Sequence, residues 1–295
     1  MGHNHDHSHH HAEGNVKVAF FLNLSFTIIE IIGGLYTNSL AILSDALHDL
    51  GDSLSLGLSW YFQNLSKKGR TKTFSYGYKR FSLLGAIINS IVLVAGSIFI
   101  LTKAIPQLFN PEETDAEGML YLAILGIVVN GAAVFKLRKG ESINEKVVSL
   151  HLLEDVLGWV AVLVGSIIMM FVDAPFIDPL LSVLISLFVL YNVYKNLKKS
   201  LLVILQGIPD EIDLNEIRKK LRDFKEITNA HDCHVWSMDG NYNILTIHIT
   251  LDKDYKLSEQ AELKAKVREI LKDDSINHIT IEFDGQDENC TLEDC

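Results

Sequence analysis

Cysteine is scarce in this chain, with three residues in 295, and all three lie in its polar C-terminal part: Cys233, Cys290 and Cys295. Three cysteines are too few for a disulfide scaffold, which excludes the small secreted domains that depend on one. The first residues also lack the apolar core and small-residue cleavage site of a secretory signal peptide. We therefore expect a cytoplasmic N-terminus and a reducing environment for the C-terminal part.

The composition of the chain also does not fit a single soluble globular domain. Its mean hydropathy is +0.20, although 21% of its residues are charged and its formal net charge is −11. A positive mean hydropathy beside so many charges indicates an apolar part joined to a strongly polar part.

The N-terminal segment, residues 1–14, is rich in histidine, with six of the twelve in the chain, and has no apolar periodicity. Such a composition predicts a disordered tail. A purification tag is one interpretation, but these histidines are interleaved with Asn4, Asp6 and Ser8, whereas tags are usually uninterrupted. A native metal-collecting tail is the preferred interpretation.

Six apolar segments follow, each close to the roughly 20 residues that a helix needs to cross a bilayer. The loop at 67–80 carries six Lys or Arg and the loop at 136–146 carries four, while the alternate loops are short or acidic. The positive-inside rule then places both termini in the cytoplasm. The predicted transmembrane domain covers 15–205, with spans at 16–36, 40–62, 81–105, 118–138, 143–172 and 176–195.

The composition becomes that of a soluble domain over residues 206–289. Its apolar patterns read helix, strand, strand, helix, strand, and the second strand, YNILTIHITL, alternates polar and apolar residues. This order predicts a small α+β domain with its helices on one face of a sheet. The fold class is thus an α-helical membrane protein with six transmembrane helices and a cytoplasmic α+β domain, which ends in a cysteine-containing tail at 290–295.

Ionisable residues inside the predicted spans are costly and therefore indicate a function. The second span holds His48 and Asp52, and the fifth holds His151 and Asp155, each pair four residues apart. Residues four apart share one face of a helix. If the two faces meet, two imidazoles and two carboxylates form a tetrahedral cage that suits Zn²⁺.

The charge of this cage favours transport over a purely structural role. Two aspartates neutralise a dication, whereas an empty cage would hold two uncompensated carboxylates, which burial disfavours. Protons are the simplest replacement, because the same ligands must lose protons to bind metal. One such pair alone could be a proton relay or a contact between helices. Cobalt, cadmium or iron could fit a similar cage, but two imidazoles argue against manganese, magnesium and calcium.

Five stretches of the chain carry a family resemblance: NLSFTIIEIIGG, SLAILSDALHDLGDS, YGYKRFSLLGAIIN, ESINEKVVSLHLLEDVLG and LLVILQGIP. They resemble the cation diffusion facilitator family, in particular its zinc-transporting branch. The resemblance implies a V-shaped homodimer that exchanges zinc for protons by alternating access, with a metallochaperone-like cytoplasmic domain. It also places the family's four transport ligands at His48, Asp52, His151 and Asp155.

The sequence departs from the family pattern at two places. Phe81 and Ser82 stand where Ala-Glu is common after the basic residue, and the basic loop at 67–80 contains no His or Asp. A role for that glutamate, and a metal site in that loop, are therefore not expected here.

The same resemblance implies a regulatory metal site in the cytoplasmic domain. By position its ligands would be His231, His248 and Glu282, with Asp284 as a further candidate. Cys290 and Cys295 are similar to a tail pair of some zinc transporters and could complete the site. Each of these residues alone is more often an ordinary surface residue.

The function predicted from the sequence is the export of Zn²⁺ from the cytoplasm in exchange for protons, across the inner (plasma) membrane. Zinc is both the transported substrate and a candidate regulatory ligand, and a second copy of the chain and the lipid bilayer are the expected partners, with no nucleic acid. The alternatives are a membrane metal sensor and an exporter of cobalt, cadmium or iron. A membrane zinc hydrolase would need an open coordination position and a general base, so no enzyme activity is predicted.

Overall fold

A computed structural model of the chain describes the backbone of residues 7–137, 143–272 and 275–285. Side chains are described at 20–58, 60–62, 64–135, 152–272 and 275–285. The chain forms two compact units. One contains the chain up to Phe62 and Gly85–Asn196, and the other contains Gln63–Leu84 and the chain from Leu197.

Long helices occupy the positions of the six predicted spans, and five of them are long and apolar enough to cross a membrane. Five of them extend past their predicted apolar segments at one end at least, because hydrogen bonding continues through the more polar flanks, and the fifth ends one residue before its predicted limit. The helices are α1 (His7–Thr37), α2 (Leu40–Ser66), α3 (Phe81–Phe109), α4 (Ala116–Leu137), α5 (Ile143–Phe171) and α6 (Ile177–Ile204).

The helix α2 differs from the other five in composition rather than in length. Its 27 residues span about 40 Å at 1.5 Å per residue, enough to cross a bilayer. It carries Asp45, Asp49 and Asp52, however, so that its apolar stretch is interrupted by carboxylates. Intramembrane carboxylates are expensive unless they serve a function, which makes α2 the first place to look for a site.

The first unit packs around a buried aromatic pair and through glycines at helix contacts. Trp159 of α5 is 1% exposed and packs edge-to-face against Phe26 of α1, with ring centroids 6.1 Å apart. On α4, Gly126 faces the same indole ring so closely that a Cβ there would overlap it. Small residues allow helix backbones to approach in this way inside membranes.

A buried carboxylate joins the start of α6 to the start of α2. Asp178 accepts hydrogen bonds from the hydroxyl of Ser39 and from the backbone N–H groups of Leu40, at 2.8 Å, and Ala41, at 3.2 Å. Asp178 and Ser39 are fully buried. The first N–H groups of a helix have no partner inside the helix, so Asp178 supplies the acceptor that α2 needs.

Replacing Asp178 by alanine is expected to destabilise the protein by roughly 3 kcal/mol, because two buried donors and one partly buried donor lose their acceptor. The measurement is the midpoint of thermal unfolding of the purified protein in detergent. Asp173→Ala is the matched control, since Asp173 lies five residues earlier and is exposed. Equal midpoints for the two variants would contradict the capping role.

The C-terminal part of the second unit has the predicted order of elements, α7 (Leu214–Arg222), β1 (Ile227–Ser237), β2 (Asn243–Leu251), α8 (Leu257–Lys272) and β3 (Ile276–Asp284). The sheet order is β1-β2-β3, with β1 antiparallel and β3 parallel to β2. Asp213 caps α7 by accepting from the backbone N–H of Asn215. Ile217 and Leu221 of α7 and Val267 and Leu271 of α8 cover an apolar core with the strands.

The basic segment between α2 and α3 belongs to this second unit. The ammonium group of Lys79 lies 4.2 Å from the centre of the Tyr242 ring, and the Tyr76 ring meets His278 edge-on at a centroid distance of 5.7 Å. The backbone N–H of Gly77, which has a φ of 77°, donates to the carbonyl of Phe74 and closes a turn there.

Candidate metal sites

The first candidate site lies where α2 faces α5. His48 Nε2 is 3.8 Å from Asp52 Oδ2 on the next turn of α2, and also 3.8 Å from Asp155 Oδ1 on α5. The side chains of His48 and Asp155 are 14% and 7% exposed, and that of Asp52 is 26% exposed. The structure thus brings three of the four predicted intramembrane ligands together around His48.

The two helices run in opposite directions at this contact. His48 faces Asp155, and a Cβ at Gly158, three residues later on α5, would lie 3.6 Å from Asp45, three residues earlier on α2. Antiparallel pairing puts the backbone of residue 151 level with Asp52, one turn from Asp155. The side chain of His151 itself lies outside the described side chains.

The residues around the trio differ in their surroundings. Asp45 and Asp49 on α2 and Glu30 on α1 are buried, whereas Glu154 next to Asp155 is exposed. Asn23 of α1 donates to the carbonyl of Asp49 and to the hydroxyl of Ser53, so it joins α1 to α2. Of the acidic neighbours, only Glu154 lies on an exposed face.

The second candidate site lies on one face of the three-stranded sheet. The register pairs His231 with His248, and His248 with Glu282, so the three residues form a row across β1, β2 and β3. Asp284 lies two residues after Glu282, on the same face of β3. Neighbours in such a row have Cβ atoms about 5 Å apart, close enough for their side chains to share an ion.

The distances in this row fit a tetrahedral metal ion. Asp284 Oδ2 lies 3.3 Å from His231 Nε2 and 3.2 Å from His248 Nδ1. Ligands at about 2.05 Å from Zn²⁺ are roughly 3.3 Å apart along a tetrahedral edge. Among the described side chains, His231, His248 and Asp284 are the one trio whose ligand atoms all lie within 4.8 Å of one another, so the trio around His48 is more open.

The polar atoms of this row also match a metal site. His231 is 9% exposed, and its Nε2 faces Asp284 Oδ2 at 3.3 Å without the geometry of a hydrogen bond. Buried polar atoms are normally paired, so such an imidazole indicates a ligand that the protein alone does not supply. A zinc ion bound between His231, His248 and Asp284 would satisfy it.

The other candidates of the cytoplasmic site are placed differently. Glu282 Oε2 lies 3.6 Å from His248 Nε2, on a side chain that is 68% exposed. Cys233 is buried in the apolar core of the domain. Cys290 and Cys295 lie outside the described residues.

Asp232 is a polar residue of this site that the sequence patterns did not reveal. In a regular strand, His231 and Asp232 would point to opposite faces. The pairing of β1 with β2 shifts register between His231 and His234, and Asp232 has a φ of +45° within this β-bulge. Its Oδ2 therefore lies 3.5 Å from His248 Nε2, on the same face as His231. The only sequence signal was its identity, since Asp tolerates positive φ.

Comparison with known proteins decides the family. The family model described as the cation efflux transmembrane domain matches residues 16–205, and that of the cation efflux protein cytoplasmic domain matches 209–286. This chain belongs to the cation diffusion facilitator, or cation efflux, family. The resemblance seen in the sequence is confirmed, as is the fold class of a helical transmembrane domain followed by a small cytoplasmic domain.

Curated members of this family align along nearly the whole chain. The cadmium, cobalt and zinc/H(+)-K(+) antiporter of Bacillus subtilis is 33% identical over 98% of this chain and 94% of its own length. The metal cation efflux system protein CzcD of Cupriavidus metallidurans is 34% identical, covering 96% and 90%. The zinc transporter ZitB of Yersinia pseudotuberculosis is 33% identical, covering 94% and 89%.

Proposed function

We propose that this cation diffusion facilitator exports Zn²⁺ from the cytoplasm in exchange for protons. The observation that carries the proposal is the contact between α2 and α5, where His48 lies 3.8 Å from both Asp52 and Asp155. The names of the relatives, which include zinc, cadmium and cobalt, support a transition-metal substrate and leave cobalt or cadmium as further cargo.

The proposed transport site consists of His48, Asp52, His151 and Asp155. A distance of 3.8 Å between ligand atoms exceeds the tetrahedral edge of about 3.3 Å, so zinc would draw these side chains together by roughly 0.5 Å. Two carboxylates balance the charge of the dication, which allows the loaded site to be buried. Residue 151 lies on α5 one turn before Asp155, which supports His151 as the fourth ligand.

Proton exchange follows from the chemistry of the same ligands. Imidazole and carboxylate bind a metal only when they are deprotonated, so protons and zinc compete for them. When zinc leaves, two carboxylates would remain in a poorly hydrated place, and protons offset that charge. The site is then formally neutral both when it holds zinc and when it holds protons.

We further propose that the protein is a homodimer in the inner (plasma) membrane, with both termini in the cytoplasm. The basic loops at 67–80 and 136–146 support that orientation. The proposed organisation is a histidine-rich tail at 1–14, a transmembrane domain at 15–205, a cytoplasmic domain at 206–289 and a cysteine-containing tail at 290–295.

The cytoplasmic domain is proposed to bind a regulatory zinc ion through His231, His248 and Asp284. Three protein ligands leave one position of a tetrahedron to fill. Glu282 is a candidate for it because its 68% exposed side chain can turn from His248 Nε2 toward the ion, and Cys290 and Cys295 compete with it as softer ligands.

The function is tested by zinc flux into liposomes that contain the purified protein, with and without an imposed pH gradient. We expect zinc flux to rise when the pH gradient drives protons in the direction opposite to zinc. Liposomes without the protein should show only background flux. Flux of zinc, cobalt and cadmium that stays at background in a folded preparation would contradict transport and favour the sensor interpretation. Flux that ignores the pH gradient would contradict the proton exchange alone.

Replacing His231 by alanine is expected to remove one bound zinc ion per chain from the full-length protein, because His231 supplies one of three closely spaced ligands. The measurement is zinc stoichiometry after equilibrium dialysis in detergent. His278→Ala is the matched control, since His278 lies in the same domain and packs against Tyr76 instead. If both variants bind as much zinc as the wild type, the cytoplasmic site is wrong.

A further inference from the structure

The two ring nitrogens of His248 face different carboxylates. Nδ1 lies 3.2 Å from Asp284 Oδ2, inside the trio with His231. Nε2 lies on the other edge of the ring, 3.5 Å from Asp232 Oδ2 and 3.6 Å from Glu282 Oε2. An imidazole that binds a metal through Nδ1 is neutral and carries its hydrogen on Nε2. That hydrogen is directed at Asp232 or Glu282.

Asp232 is the better placed of these two acceptors. Its side chain is 12% exposed, whereas that of Glu282 is 68% exposed, so water competes far less for Asp232. A second contact fixes the Asp232 carboxylate, since its Oδ1 lies 2.8 Å from His234 Nε2. The bulge holds the backbone of Asp232 at a φ of +45° and turns this carboxylate toward His248.

We propose that Asp232 is a positioning residue of the cytoplasmic site: it accepts the Nε2 hydrogen of His248 and so presents Nδ1 to the metal. The inference rests on the proposed cytoplasmic site and deepens it. Metal-binding histidines usually donate their second ring N–H to a carboxylate or carbonyl, which fixes the tautomer and the ring orientation. Here the contacts run from His234 to Asp232, from Asp232 to His248, and from His248 to the ion. Asp284 and His231 are the other ligands of the ion.

The role of His234 follows from this order. The side chain of His234 is 50% exposed. It lies on the far side of Asp232 from His248, so it acts on the ion through two other residues. Its replacement should therefore weaken zinc binding less than that of Asp232.

The test uses the full-length protein in detergent, with Asp155→Ala in every sample to disable the proposed transport site. Cobalt(II) serves as the spectroscopic probe, and its displacement by zinc gives the affinity. Asp232→Ala is expected to lower the zinc affinity of the cytoplasmic site about 10- to 100-fold, the usual effect of removing such a partner. The number of bound ions and the cobalt d–d band should stay unchanged. Asp232→Asn should recover part of the affinity, because its amide oxygen still accepts a hydrogen bond.

Two results would overturn the positioning role. Unchanged zinc affinity in Asp232→Ala would show that His248 needs no such acceptor, and loss of one ion with its cobalt band would make Asp232 a direct ligand. His231→Ala in the same background separates these results from failure of the site itself, since unchanged stoichiometry in that variant would remove the site. Ions bound by the histidine-rich N-terminal segment contribute equally in every variant, so they cancel when the variants are compared. Thermal unfolding of each variant identifies any loss of affinity that comes from misfolding.

Discussion

Replacing Asp155 by alanine is expected to reduce zinc flux to the level of protein-free liposomes while the protein remains folded. Asp155 is the carboxylate that α5 contributes next to His48, and it is 7% exposed. Its loss removes one of four ligands and leaves the zinc ion with an unbalanced positive charge in a buried place, which is strongly disfavoured. Both binding and passage of the ion should therefore fail.

Glu154→Ala is the matched control for this variant. It removes a carboxylate of the same charge from the adjacent position of the same helix, but Glu154 is exposed and points about 100° away around the helix axis. We expect its flux to stay within about twofold of the wild type, because no ligand is lost. Full flux in Asp155→Ala, or equal loss in both variants, would mean that Asp155 is not a specific ligand.

Replacing Gly126 by alanine is expected to destabilise the transmembrane helices, because this position has no room for a methyl group. A Cβ at this position would overlap three atoms of the Trp159 indole, a rigid ring that is 1% exposed and cannot turn aside. The helices α4 and α5 would have to move apart, at a cost of about 1–3 kcal/mol for an overpacked core. The midpoint of thermal unfolding in detergent should fall accordingly.

Gly131→Ala on the same helix provides the comparison. Among the residues that the structure describes, none has an atom within 4 Å of a Cβ at Gly131, so the extra methyl group meets open space there. In a helix interior, alanine is favoured over glycine by roughly 1 kcal/mol, so this variant should be as stable as the wild type or more so. An unfolding midpoint of Gly126→Ala equal to that of Gly131→Ala would contradict the close packing of α4 on Trp159.

The helices and the first candidate site followed from simple patterns in the sequence. Apolar runs of membrane length predicted six helices, and the four-residue spacing of His48 with Asp52 predicted a shared face on α2. Contact between α2 and α5 had to be assumed, because the spacing of residues in a sequence does not say which helices touch. The structure supplies that contact through His48 and Asp155.

The parts that could not be predicted depend on backbone irregularity or on distant contacts. Asp232 reaches His248 only because a β-bulge cancels the alternation of β1, and no periodic pattern marks a bulge. Asp178 stood at the start of the sixth predicted span with no role assigned to it, yet its carboxylate caps α2, some 138 residues earlier in the chain. Cys233, which stands beside histidines in the sequence, proved to face the apolar core.

The central claim is that zinc passes between α2 and α5, and anomalous X-ray scattering at the zinc edge tests it most directly. The measurement uses crystals of the transport-competent protein grown with zinc. We predict an anomalous peak about 2.0–2.2 Å from a nitrogen of His48 and from carboxylate oxygens of Asp52 and Asp155, with His151 as the fourth ligand. Zinc-loaded crystals with no peak between these helices, from a preparation that transports zinc, would contradict the account.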